Sequence, residues 1–250
     1  MLPPVVAEST ARALPAPVAR FRELALREGS SVVETVAIEC RATMRRPRMP
    51  RLPLRIRMFH RVGRAFVHDI RMGIGPLSIR MGLDAYVDGH GLMKIGPSVQ
   101  TGVEFDQGAL IALWGEALGF PSAWEGCDDV RWEPLDDTTA LLVVAGPEGD
   151  IPITVGFDPA TGCPAFCEAD RYKAKGPKVR WRGASSDWRR FDGVLSPGRF
   201  SAAWADEPYP WLEIRIDSLR VNVPVDDRLD EGRAVLDRAA RTSARPTDGS

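Results

Sequence analysis

Asp84, Glu116 and Arg171 are the residues of this sequence best suited to chemistry. Two carboxylates held in one cavity can do acid-base work when burial drives their pKa values apart, and an arginine beside them stabilises the charged form. Asp84 shares strand parity with Tyr86 in DAYVDGHGLMK, so both present to one face. Glu116 lies near the edge of an apolar helical stripe, two residues from Trp114, and Arg171 belongs to a strand in which Tyr172 points the other way. Asp84, Tyr86, Trp114, Glu116 and Arg171 are therefore the candidate ligand-binding set. A carboxylate facing an apolar cavity is costly to bury alone, so pairing with an arginine is expected, and a structural ion-pair network fits these residues as well as a site does.

The remaining reactive side chains are scattered. His60, His68 and His90 have no nucleophile motif beside them; His60 and His68 share parity across a short hairpin, which suits a His pair or ordinary packing. Cys40, Cys127, Cys163 and Cys167 are too few for a disulfide framework and read as reduced, mostly buried thiols. In CPAFC the two sulfurs of a strand would lie roughly 13 Å apart, too far to share one metal. The sequence lacks G-x-G-x-x-G, a Walker loop, G-x-S-x-G and H-E-x-x-H. The expectation is no metal, no cofactor and, on balance, no catalysis.

These residues must be positioned by a sheet and one central helix. In EFDQGALIALWGEALGF the residues Leu110, Leu113, Trp114, Ala117 and Leu118 recur at helical offsets, with Asp106 as N-cap and Gly119 as stop, giving a helix from Asp106 to Leu118. Pro15 to Glu28 reads as a first helix stopped by Gly29, and Asp226 to Ala240 as a last one. Between them run strand patterns: Val32 to Met44, Leu54 to Phe59, Arg64 to Leu83 broken at Gly73, Gly75 and Pro76, and a hairpin over Asp84 to Lys94 turning at Asp88-Gly89. Later strands are Val130 to Leu135, Ala140 to Ala145, Ile151 to Asp158, Ala165 to Tyr172, Lys178 to Phe191, Gly198 to Ala203 and Trp211 to Val223. About ten strands joined by short turns predict an α+β fold: a large curved antiparallel sheet, an open half-barrel, with a central covering helix and N- and C-terminal helices. The chain reads as one domain over 1–250, with 1–13 and 241–250 as flexible ends.

Charge and hydropathy exclude some classes. With 33 basic and 34 acidic side chains, the net charge of −1 favours no particular partner. No apolar run approaches the ~20 residues that cross a bilayer, and Met1 to Ala19 lacks the features of a secretory signal, so the expected location is the cytoplasm. From Arg41 to Arg64 there are nine arginines and no acid, whereas Glu104 to Asp137 holds nine acids and one arginine, Arg131. Solvated or mutually packed faces explain this first, and an anion-binding patch second. The scarcity of interleaved aromatics argues against nucleic acid.

LPAPVARF, DAYVDGHGLMK, the central helix with GFPSAW, RWEPLDDTTALLVV, FDPATG, WRGASSDWRRFDG and SAAW together resemble an uncharacterised family of bacterial proteins of unknown function, from about Leu14 to Asn222. Such sequences are similar to the LolA-like lipoprotein-carrier half-barrel, whose concave face holds acyl chains under helical cover. The resemblance implies an apolar or lipid-like ligand. Two alternatives stay open: an enzyme using the acids of the same cavity, and a non-catalytic module binding an anionic partner through residues 41–64.

Overall fold

A computed structural model describes residues 13–26, 32–73, 78–173 and 175–243. The expected stop at Gly29, the break at Gly75 and Pro76, and most of both chain ends lie outside the described residues.

Alternation of buried and exposed positions produces the strands. β1 (Thr35–Met44), β2 (Leu52–Arg61), β3 (Ala65–Met72), β4 (Ile79–Val87), β5 (His90–Ile95) and β6 (Ser98–Thr101) form an antiparallel meander that moves outward from β1. On β2, Leu54, Ile56, Met58 and His60 are buried, and Arg55 between them points to the other, wet side. β7 (Val130–Pro134), β8 (Thr139–Val144), β9 (Ile151–Phe157), β10 (Pro164–Tyr172), β11 (Lys178–Phe191), β12 (Val194–Trp204) and β13 (Leu212–Val221) return inward until β13 pairs with β1. The result is one 13-stranded antiparallel sheet in the order β6-β5-β4-β3-β2-β1-β13-β12-β11-β10-β9-β8-β7, curved into an open half-barrel.

This order dictates the place of the central helix. β6 and β7 lie on opposite edges, so the chain between them must cross the width of the sheet, and α2 (Val103–Ala117) with the short α3 (Pro121–Trp124) makes that crossing over the concave face. α2 begins at Val103, not Asp106, with Gly102 at its N-cap and no side-chain cap. Asp106 lies in the first turn, and its Oδ1 accepts the Gly91 N–H at 2.7 Å. Nor does Gly119 end the helix by a left-handed turn; the chain leaves through an extended Phe120 before Pro121. The one-sided apolar stripe is also too narrow a description. Gln107, Gly108, Ala109, Leu110, Ile111, Leu113, Trp114 and Ala117 are all buried, because the helix is held between the two arms of the sheet.

α1 (Ala16–Ala25) packs Phe21 on Phe157 and Trp188 within the same large core. α4 (Asp226–Ser243), three residues longer than its sequence pattern, covers the convex face, where Val225, Leu229 and Val235 meet Val67, Leu83, Ala85 and Leu92.

Turn chemistry accounts for the hairpins. Asp88 and Gly89 both take positive φ, 52° and 84°, as a two-residue type I′ turn requires. Asp192-Gly193 repeats the device at 47° and 81°, so β12 starts at Val194, well before the expected Gly198. Pro197 does not end β12, because its partner is Trp188 of β11 and the pairing with β13 begins only at Arg199. The count rises from about ten to thirteen because Arg64 to Leu83 is two strands and Ser98–Thr101 adds a short edge strand after the Gly96 turn.

Candidate functional site

Among the described residues, the concave face carries a polar cluster within an apolar lining. His60 on β2 and His68 on β3 share parity, and the β2–β3 register places His68 opposite Met58 and Phe66 opposite His60. Their rings lie 5.3 Å apart, and Phe66 stacks on His68 at 4.4 Å. β4 brings Asp84 opposite His68, with Oδ2 at 3.9 Å from Nδ1. From above, α2 lowers Glu116 between the imidazoles, with Oε2 at 3.2 Å from His68 Nε2 and 3.4 Å from His60 Nε2. Both histidines are 6 % exposed. None of these three facing atoms is aligned with a hydrogen-bond partner.

Arg171 reaches the cluster from β10. Its guanidinium lies over the rings of Trp181 (5.4 Å) and Trp204 (6.0 Å). It also packs against Gly108 of α2, where a Cβ would stand 3.0 Å from Nε. Gly108 is thus the space through which an arginine passes beneath the helix. Gln107 beside it is buried and ties α2 to β10, donating from Nε2 to the Asp170 carbonyl (3.0 Å) and accepting the Tyr172 N–H at Oε1 (3.2 Å).

Burial and charge set the ionisation. Burial pushes His60 down to about 4, against the pull of the Glu116 carboxylate. Burial also opposes the charged form of His68, but Glu116 outweighs it and raises the imidazole above its ordinary value. For Glu116 burial favours the neutral acid, yet His68, His60 and Arg171 hold the carboxyl below the usual range. Burial dominates at Asp84 and lifts it despite His68 and Arg171. Desolvation lowers Arg171, partly offset by Asp84 and Glu116. Cys40 and Cys167, buried nearby, are pushed up to about 12 chiefly by desolvation, so both are inert thiols.

Two cavities flank Glu116. One, of about 210 Å³, is lined by Met44, Leu54, Ile56, Met93, Trp181 and Trp211 together with His68, Asp84, Glu116 and Arg171. The other, of about 70 Å³, includes His60, Glu116, Leu118, Phe166, Cys167 and Trp188. Met58, Gly115, Phe200 and Ile214 line both.

Of the residues singled out from sequence, Asp84, Glu116 and Arg171 converge here. Trp114 and Tyr86 line neither cavity. Trp114, 2 % exposed, packs toward the β2–β3 turn near Gly63, and Tyr86 is half-buried, with burial first and then Asp106 and Asp129 raising its phenol. The histidines were visible in sequence as a same-parity pair; Gln107 gave no signal.

The fold is similar to that of a LolA superfamily protein from Nitrosomonas europaea, at 11 % identity and a TM-score of 0.51 over 86 % of this chain and 97 % of that one. An outer membrane lipoprotein-sorting protein domain from Vibrio parahaemolyticus aligns at 10 % identity and a TM-score of 0.48, over 87 % and 97 % of the two chains. A DUF1329 family protein from Desulfovibrio piger aligns at 12 % and 0.48, over 84 % and 95 %. No curated protein matches the sequence. A sequence-family model matches residues 4–214, well over half of the chain, and the chain therefore belongs to DUF6544, a family of unknown function.

Proposed function

We propose that the chain binds an elongated apolar molecule, acyl or aromatic, between the concave face and α2, with the polar end of the ligand directed to Arg171. The observation that supports this reading is the pair of cavities meeting at Glu116: their walls are mostly Met, Leu, Ile, Phe and Trp, with a few convergent polar groups. Methionine-rich walls adapt to ligands of varied shape. The guanidinium of Arg171, half-buried with its Nε out of contact with water and unpartnered, suits an anionic head such as a carboxylate. Native mass spectrometry of freshly purified protein tests the reading, with an adduct of acyl or aromatic mass expected, released on unfolding. A single apoprotein mass that stays unchanged after incubation with fatty acids would count against it.

A catalytic reading draws on one observation, the opposite displacement of Asp84 and Glu116, which suits an acid and a base at one site. Hydrolysis of acyl esters that disappears in Glu116→Gln would put it first. The anionic-partner reading is weakened by internal pairing in the arginine-rich segment: Arg41 with Asp217, Arg45 with Glu213, Arg57 with Asp69 and Arg61 with Asp226.

A further inference from the structure

We infer that His60, His68 and Glu116 form a binding site for a divalent first-row cation of the zinc type, held by two imidazole Nε2 atoms and one carboxylate oxygen, with an open position facing the cavity under α2. This inference does not depend on the apolar ligand.

Geometry is the first support. The three ligand atoms lie within 4.8 Å of one another, and the two N···O separations are 3.2 and 3.4 Å. A tetrahedral ion with bonds of about 2.0–2.1 Å has ligand-to-ligand edges of roughly 3.3 Å. The ligands come from three elements, β2, β3 and α2, so the site exists only in the folded chain.

Satisfaction of polar groups is the second. His60 Nε2 and His68 Nε2 are buried and have only the one carboxylate oxygen, Glu116 Oε2, within reach, at 3.4 and 3.2 Å, so a single acceptor is shared between two imidazoles. Buried polar atoms in folded proteins are nearly always paired, since an orphan costs its full desolvation penalty. Here the shared carboxylate oxygen cannot fully serve both imidazoles, and one cation satisfies all three atoms together.

The surroundings also suit a metal. Asp84 faces the other nitrogen of His68, the position from which a carboxylate orients a ligating histidine. Phe66 fixes the His68 ring by stacking. Two nitrogens and one carboxylate suit zinc or cobalt, and do not suit calcium or magnesium, which take oxygen. Three protein ligands leave a position free, and Glu116 borders both cavities, so a donor atom of a bound ligand can reach it.

The test is cobalt(II) titration of the full chain after chelator treatment and desalting, followed by visible absorption. One saturable equivalent is expected, with the intense bands of four- or five-coordinate cobalt, displaced by zinc. Binding should be lost in a His60→Leu, His68→Leu double variant, and Asp84→Asn should weaken it about 10- to 100-fold. Absence of saturable binding to the parent would overturn the inference, as would unchanged binding by a folded double variant. Should that variant not fold, X-ray absorption of the zinc-loaded parent decides: nitrogen and oxygen ligation with imidazole scattering is expected, and sulfur ligation or no imidazole contradicts the assignment.

Discussion

Arg171 is the residue on which the interior charge rests. Among the described residues it is the only arginine or lysine lining the wider cavity besides Arg46, and its charge acts on two half-buried carboxylates, Asp84 and Glu116. Arg171 compensates the two acids through the field across the cavity rather than by a direct ion pair, and removing such compensation from half-buried charges costs about 1–3 kcal/mol. Arg171→Leu is therefore expected to lower the urea-derived unfolding free energy by about that much; a loss under about 0.5 kcal/mol would mean that Asp84 and Glu116 do not depend on it. A separate ionic group lies on the convex face, where Asp69 is buried among Arg57, Arg71 and Arg80. Burial alone would raise the Asp69 carboxyl, but the bond from Arg57 and the three positive charges hold it below the usual range. Replacing it by Asn should destabilise the protein by about 1–3 kcal/mol, measured by chemical unfolding, without affecting ligand uptake on the other face. Residue types were informative in sequence here: Asp84, Glu116 and Arg171 stood out because charges among apolar strands need partners. Gln107 did not, because a glutamine in a helix is ordinary until the backbone of β10 runs past Glu168, where its β9 pairing ends, and leaves groups for it to meet.

At the scale of elements, α2 straps the two arms of the sheet. Asp106 bonds to β5 on one side and Gln107 to β10 on the other, adjacent residues reaching opposite halves of the fold. The approach to β5 is close: a Cβ at Gly91 would stand 2.1 Å from the Phe105 carbonyl oxygen, a backbone atom that moves only if the helix does. Gly91→Ala should therefore shift α2 outward and lower thermal stability, whereas Gly89→Ala, with nothing near its Cβ but a left-handed turn, should cost only the smaller strain of that conformation. Equal melting temperatures for the two would show that α2 does not press on β5. Trp114→Ala removes a buried indole from the same helix, and a loss of about 3–5 kcal/mol in denaturant unfolding is expected. The helix and most strands were legible because apolar spacing alternates between 3.6 and 2. The helix start was not: Asp106 has the right type for a cap, but Gly91 lay within its reach and took the carboxylate instead. The second arm misled at Pro197 and Gly198 for a related reason, since only the pairing partner reveals that a proline there blocks no ladder bond.

For the whole molecule, the path of the chain makes the site. A meander that starts and ends at the centre, with β1 paired to β13, leaves both outer edges to be joined by one long crossing, and that crossing becomes the roof of the cavity. The two cavities, the acids that line them and the histidine pair therefore lie under α2 as a consequence of topology. If this space takes an apolar ligand, as proposed, titration of the protein, freed of lipid, with a fluorescent fatty acid will show it. Saturable uptake near one probe per chain is expected, displaced by unlabelled fatty acid. Uptake should be strongly reduced in Ile214→Trp, which fills the region common to both cavities. Non-saturable uptake, or the same affinity in a folded Ile214→Trp variant, would contradict it.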